Sequence, residues 1–219
     1  MGTNETKLTK RDLYFAMFAG FLIGLLFLPV LKNAKPDLYD RFFYTSIPLF
    51  FIATPLGLII AYEISKKISF VWQLGKFGVS GILNVLVDMG VLSLLTFFFR
   101  SNFKIEANDL FFSGITFLSF YSIYKSISFI VANINSYYWN KYWTFDRDAD
   151  QKKSEFIQFF IVSLLGFFIN VFVASITFHI ANPTDIAQQG RWELIGAAMG
   201  SIVGLVWNFI GYKFLVFKK

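Results

Sequence analysis

Apolar runs long enough to cross a hydrocarbon core recur six times in this chain, near residues 12–31, 42–62, 77–99, 119–140, 158–180 and 194–213. A core about 30 Å thick takes about 20 helical residues at 1.5 Å each. In lipid each such segment must satisfy its own backbone polar groups, which a continuous apolar run does by forming a helix. With 56% hydrophobic and 16% charged residues among 219, little is left for a large soluble domain. The expected fold is therefore an all-α, polytopic membrane helix bundle. The first run follows Lys7, Lys10 and Arg11, is too long for a signal-peptide core and lacks a small-x-small cleavage site, so it is read as a retained anchor.

The net charge of +6 is best understood through its distribution between loops. With both termini inside, 13 Lys and Arg fall on inner segments (Lys7, Lys10, Arg11, Lys66, Lys67, Lys76, Lys141, Arg147, Lys152, Lys153, Lys213, Lys218 and Lys219) and seven on the outer side. That asymmetry predicts cytoplasmic termini and an even number of spans. Basic inner loops then meet anionic lipid, and no nucleic-acid partner is expected. The chain has no cysteine, which excludes disulfides, thiolate metal sites and cysteine nucleophiles. Without a Walker loop, metal-ligand cluster or nucleophile triad, neither an enzyme nor a cofactor or metal site is expected.

The chain also repeats itself. Laying Phe145 over Phe217 puts Lys141 on Lys213, Ser136 on Asn208, Ala132 on Gly204 and Ser128 on Gly200. The preceding helices match too: Phe77, Gly81, Asn84 and Asp88 fall on Phe159, Ser163, Gly166 and Asn170. A helix pair used twice makes a four-span core over residues 76–219, and because each unit holds two spans the copies run parallel. Residues 1–75 add two N-terminal spans and a linker, EISKKISFVWQLGK, whose Ile64, Ile68, Val71 and Trp72 share a face opposite Lys66 and Lys67, the pattern of a short interfacial helix.

Polar residues inside the core runs are the candidate site. Gly81, Asn84 and Asp88 form one stripe of the first core helix, and Lys125, Ser128, Ala132, Asn135 and Ser136 share a broad face of the next. Counted from the inner ends at 1.5 Å per residue, Asp88 lies roughly 18 Å and Lys125 roughly 24 Å into the membrane, so the two can pair. A charge at that depth is costly unless paired, protonated or wetted, which makes it a functional hypothesis by default. Ser163, Gly166 and Asn170 reproduce the stripe in the second copy, and Gly196, Gly200, Gly204 and Asn208 form a four-residue ladder that admits close backbone approach, within the bundle or in a dimer. The segment LFFSGITFLSF reads equally as interfacial, re-entrant or part of the next helix.

Together, KFGVSGILNVLVDMG, ANINSYYWNKYWTF, QFFIVSLLGFFIN and VWNFIGYKFLVF open and close four helices in a way that resembles the GtrA-like family of four-span membrane proteins. The resemblance covers about residues 76–219; Leu215 stands where the first copy has Trp143. It implies a role in cell-surface polysaccharide synthesis or glycosylation, as a flippase for a polyprenyl-phosphate-linked monosaccharide in the cytoplasmic membrane. The alternative it carries is a non-transporting scaffold or partner of a glycosyltransferase.

On that reading Asp88 accepts sugar hydroxyls or acts as a proton-linked switch, with Lys125 as its partner or a substrate contact. Asn84, Asn135, Asn170 and Asn208 line a hydrogen-bonding groove, and Lys141 and Lys213 meet the lipid phosphate on entry. The blander reading of each is helix glue, snorkelling or topology. Asp88 could also serve as the proton site of a small exporter. Asp146, Asp148 and Asp150 form D-x-D-x-D with no nucleotide-binding domain around it, and His179 faces away from the stripe. A homodimer through the Gly196 to Gly204 face would enlarge the pathway.

Overall fold

The structure is a computed structural model and describes residues 7–34, 36–107, 109–111, 119–146, 153–181 and 186–217. Seven α-helices lie among the described residues: α1 (Lys10–Ala34), α2 (Pro36–Phe42), α3 (Ser46–Ser65), α4 (Phe70–Phe103), α5 (Phe120–Trp139), α6 (Lys153–Ala181) and α7 (Ile186–Gly211). α1, α3, α4, α6 and α7 contain segments long and apolar enough to cross a membrane. The sixth expected run forms α5, which has spanning length at 20 residues but is diluted by Lys125, Asn133 and Asn135. The molecule is an all-helical membrane bundle, as its apolar runs require.

α5 and α7 each pass without a break into a five-residue π-helical turn, Asn140–Thr144 and Tyr212–Val216. Each turn closes with an amide reaching back five residues, Phe145 to the Asn140 carbonyl at 2.9 Å and Phe217 to the Tyr212 carbonyl at 2.7 Å. These are matching positions of the repeat, so its two copies share a backbone irregularity as well as a sequence pattern. Such wide turns are rare and concentrate at functional sites.

Two compact units divide the chain, Met1–Asp146 and Arg147–Lys219. In the first, α1 packs on α3 and α4, and α4 on α5. Its core joins Ala16, Ala19 and Ile23 of α1 to Leu58 of α3, Trp72, Leu83 and Leu86 of α4, Trp139, and Trp143 of the π-turn. α1 and α3 approach closely because Gly20 and Gly24 face the Phe50 and Ser46 backbone, and Ser46 Oγ donates to the Gly24 carbonyl at 2.8 Å. In the second unit α6 packs along α7 and its π-turn.

One local expectation is corrected. The linker is not a separate interfacial helix: Glu63–Ser65 finish α3, Lys66–Ser69 turn, and Phe70 onward already belong to α4. Nothing between Phe70 and Asp88 stops a helix, since Gly75, Gly78 and Gly81 are tolerated in helix interiors. Trp72 is buried rather than facing the interface, and residue 75 falls inside α4. Residues 112–118, which hold most of LFFSGITFLSF, lie outside the described residues, as do Asp148 and Asp150.

Candidate functional site

The expected pairing of Asp88 with Lys125 is present. The Lys125 ammonium bonds Asp88 Oδ2, while Ser128 Oγ donates to Asp88 Oδ1 at 2.6 Å. The cluster arises because antiparallel α4 and α5 bring the two stripes together, with Lys125 and Ser128 one turn apart on α5. The carboxylate side chain is 21% exposed and the lysine 43%. The pair is therefore reachable from outside the protein, and it sits midway along α4 instead of at a helix end. Asn84 lies one turn from Asp88, with its Oδ1 buried and unpartnered; Asn135 on α5 likewise leaves Nδ2 buried and unpartnered. Gly78 and Gly81 have open space where a Cβ would stand.

Asn170 and Asn208 take a different place. Asn170 rests against Gly200 and Gly204 of α7, and the Asn208 amide fills the hollow left by Gly166 of α6. Each amide is a knob in a glycine hole of the facing helix. A Cβ on Gly196 would meet the Ala174 carbonyl oxygen at 2.7 Å. The glycine ladder thus packs inside its own unit, and α6 occupies the face considered for a homodimer. Asn208 Oδ1 is buried without a partner.

The two matching lysines also differ. Lys141 is 0% exposed, with Nζ 3.2 Å from the Tyr137 hydroxyl and near the Tyr137 and Tyr142 rings. Lys213 is partly exposed beside Phe209 and Phe214. Of the two, Lys213 is the one open to a lipid headgroup. Asp146 is held by Arg11 at 2.9 Å, and His179 is exposed.

A buried ion pair between α1 and α4 was missed in the sequence. Asp12 Oδ1 lies 2.5 Å from Lys76 Nζ, with side chains only 7% and 9% exposed. Trp143 donates its indole N–H to the same oxygen at 3.2 Å, and Lys76 also faces the Trp72 ring at 4.5 Å. Asp12 Oδ2 accepts the Thr9 backbone N–H at 3.0 Å and its hydroxyl at 2.6 Å, while the Asp12 amide returns to Thr9 Oγ1 at 3.2 Å. That reciprocal arrangement is a capping box at the start of α1. The T-x-x-D spacing ahead of an apolar run was the available signal.

These observations define a multi-pass helical membrane protein with polar and charged groups inside one helix pair. A family model described as GtrA/DPMS, transmembrane domain matches residues 76–217, and the chain belongs to that family. Over 146 residues, 66% of this chain and 78% of the relative, it is 30% identical to the uncharacterized membrane protein YngA of Bacillus subtilis (strain 168). No solved structure matches it.

Proposed function

We propose that the chain carries a polyprenyl-phosphate-linked monosaccharide between the leaflets of the cytoplasmic membrane, for cell-surface polysaccharide synthesis or glycosylation. The observation that carries this reading is the half-open Asp88–Lys125–Ser128 cluster. A phosphate arriving at Lys125 replaces Asp88 as acceptor, and the released carboxylate then accepts from a sugar hydroxyl, so neither charge is left bare in hydrocarbon. Asn84 Oδ1, one turn from Asp88, adds a buried, unpartnered acceptor to the cluster, and Asn135 Nδ2 a buried, unpartnered donor about 10 Å further along α5. Membership of the GtrA/DPMS transmembrane family supports the same class of cargo.

In this reading the prenyl tail stays in lipid and only the headgroup needs shielding. Lys213 meets the phosphate at the cytoplasmic surface; Lys141 does so only after leaving Tyr137. Both termini face the cytoplasm. Residues 76–219 form the transfer domain, and residues 1–75 brace its first helix pair. The protein performs no covalent chemistry and works beside a glycosyltransferase that loads the carrier.

The test is leaflet exchange of a labelled polyprenyl-phosphate monosaccharide in proteoliposomes. Wild type should accelerate exchange over protein-free vesicles, and Lys125→Ala and Asp88→Asn should each abolish most of that gain while remaining folded. Exchange equal to protein-free vesicles across several sugars would overturn the reading in favour of a glycosyltransferase scaffold.

A further inference from the structure

A polar seam runs along the contact between α4 and α5. On α4, Lys76, Ser80, Asn84 and Asp88 recur at every fourth residue; on α5 and its π-turn, Ser128, Ala132, Ser136, Asn140 and Thr144 do the same. Each set therefore forms a stripe that winds round its helix by about 40° per step. The sets oppose each other antiparallel, since Ser128 meets Asp88 at 2.6 Å at one end and Lys76 lies 5.9 Å from the Trp143 ring at the other. The second unit keeps this register, with Asn170 against Gly200 and the Gly166 carbonyl against Gly204, where the first has Asp88 against Ser128; by the repeat, Asn84 and Ala132 are the positions that match Gly166 and Gly204.

Ser80, Ser128, Ser136, Asn140 and Thr144 are buried, yet Asn84 Oδ1, Asn140 Oδ1 and Thr144 Oγ1 have no hydrogen-bond partner. Asn140 and Thr144 are only 1% and 3% exposed. Buried orphans contributed by two packed elements are where internal water binds, because each water needs two or more polar neighbours. Ala132, the apolar member of the set, has the smallest side chain on it.

We propose that this seam holds a file of water molecules and conducts protons between the Asp12–Lys76 pair and the Asp88–Lys125 pair. The proposal goes beyond lipid transfer and does not rest on it. The path spans about 18 Å at 1.5 Å per residue, or about six waters at a spacing of about 2.8 Å. A proton taken by the Asp12 carboxylate from inner water passes along the file, each water giving one proton onward and receiving one from behind. It ends on an Asp88 oxygen, making a neutral carboxyl while Lys125 stays an ammonium; loss to outer water restores the carboxylate.

The groups facing each end are few. Asp88 is met by Lys125 and Ser128 of α5. Asp12 is met by Lys76 of α4, Trp143 of the π-turn and Thr9 of its own helix start, while Arg11 turns to Asp146.

Proton uptake into proteoliposomes with a trapped pH-sensitive dye, driven by a valinomycin-set potassium potential, tests this without any lipid substrate. Wild type should take up protons at least tenfold faster than protein-free vesicles. Ala132→Leu and Asn84→Leu, which fill the seam, should return uptake to that background, and Ile130→Leu on an exposed face should not. Should either filling variant fail to insert, Asp88→Asn, which keeps the side-chain shape, must abolish uptake. Wild-type uptake equal to protein-free vesicles, or uptake unchanged in the folded variants, would overturn the proposal. Because lipid exchange is measured separately, loss of one activity does not decide the other.

Discussion

Trp143 donates its indole N–H to Asp12 across 3.2 Å, tying the end of the first repeat to the start of α1. The same ring stacks on Phe15 at 5.8 Å, so polar and apolar contacts coincide. In the second copy the matching residue is Leu215, 50% exposed. The departure between copies thus has a physical counterpart: in the first, α1 packs over this position.

Trp143→Leu should therefore cost about 2–4 kcal/mol of stability, from lost aromatic volume and the loss of one hydrogen bond to a buried carboxylate that keeps Lys76. Leu215→Trp should change stability by less than about 0.5 kcal/mol, as surface substitutions do. Thermal unfolding of both variants in detergent, followed by size-exclusion fluorescence, checks the contrast.

The buried Asp12–Lys76 pair should behave non-additively. Asp12→Ala or Lys76→Met alone leaves a buried charge and should cost about 3–5 kcal/mol, whereas Asp12→Leu with Lys76→Met should recover much of it. Equal losses in single and double variants would argue that the pair is not the source of the cost. The capping contacts of Thr9 are lost with Asp12, so recovery should be incomplete.

Glycines that look alike in sequence should respond in opposite senses. Gly200→Ala drives a Cβ into the Asn170 carbonyl of α6, which must part the helices, at about 1–3 kcal/mol. Gly81→Ala meets nothing and should stabilise α4 by about 0.5–1 kcal/mol. Midpoints of thermal inactivation for the two variants should move to either side of wild type.

Asp88→Asn should leave the fold nearly intact, within about 1.5 kcal/mol, because Ser128 still has an oxygen to donate to and Lys125 can reach the interface. The second copy already places Asn170 at this position beside Gly200. Asp88→Leu, which also removes Ser128's acceptor, should be the less stable of the two on heating.

Much of this arrangement was legible in the chain. The pairing of Asp88 with Lys125 followed from counting helical rise along two antiparallel spans, and the doubling followed from matched residues. What failed were relations that periodicity does not encode. Asp12 and Lys76 belong to helices with no shared pattern, so their contact emerges only when α1 packs on α4. Ile64, Ile68 and Trp72 have an amphipathic spacing, but helix continuity from Phe70 onward overrode it and buried Trp72. The glycine spacing announced close approach without naming the neighbour, which proved to be α6. Lys141 sits in an aromatic, basic tail that reads as interfacial, yet the wide turn carries it inward.

That wide turn occupies the same five positions in both halves of the chain. A π-turn holds one residue more than the α-helix around it, so removing that residue would swing the rest of the tail by about 100°. Phe145 and Phe217, both buried, would leave their cores. In each half the extra residue is therefore held in place by the packing of the buried ring that follows it, and a one-residue deletion in either copy would unseat that ring.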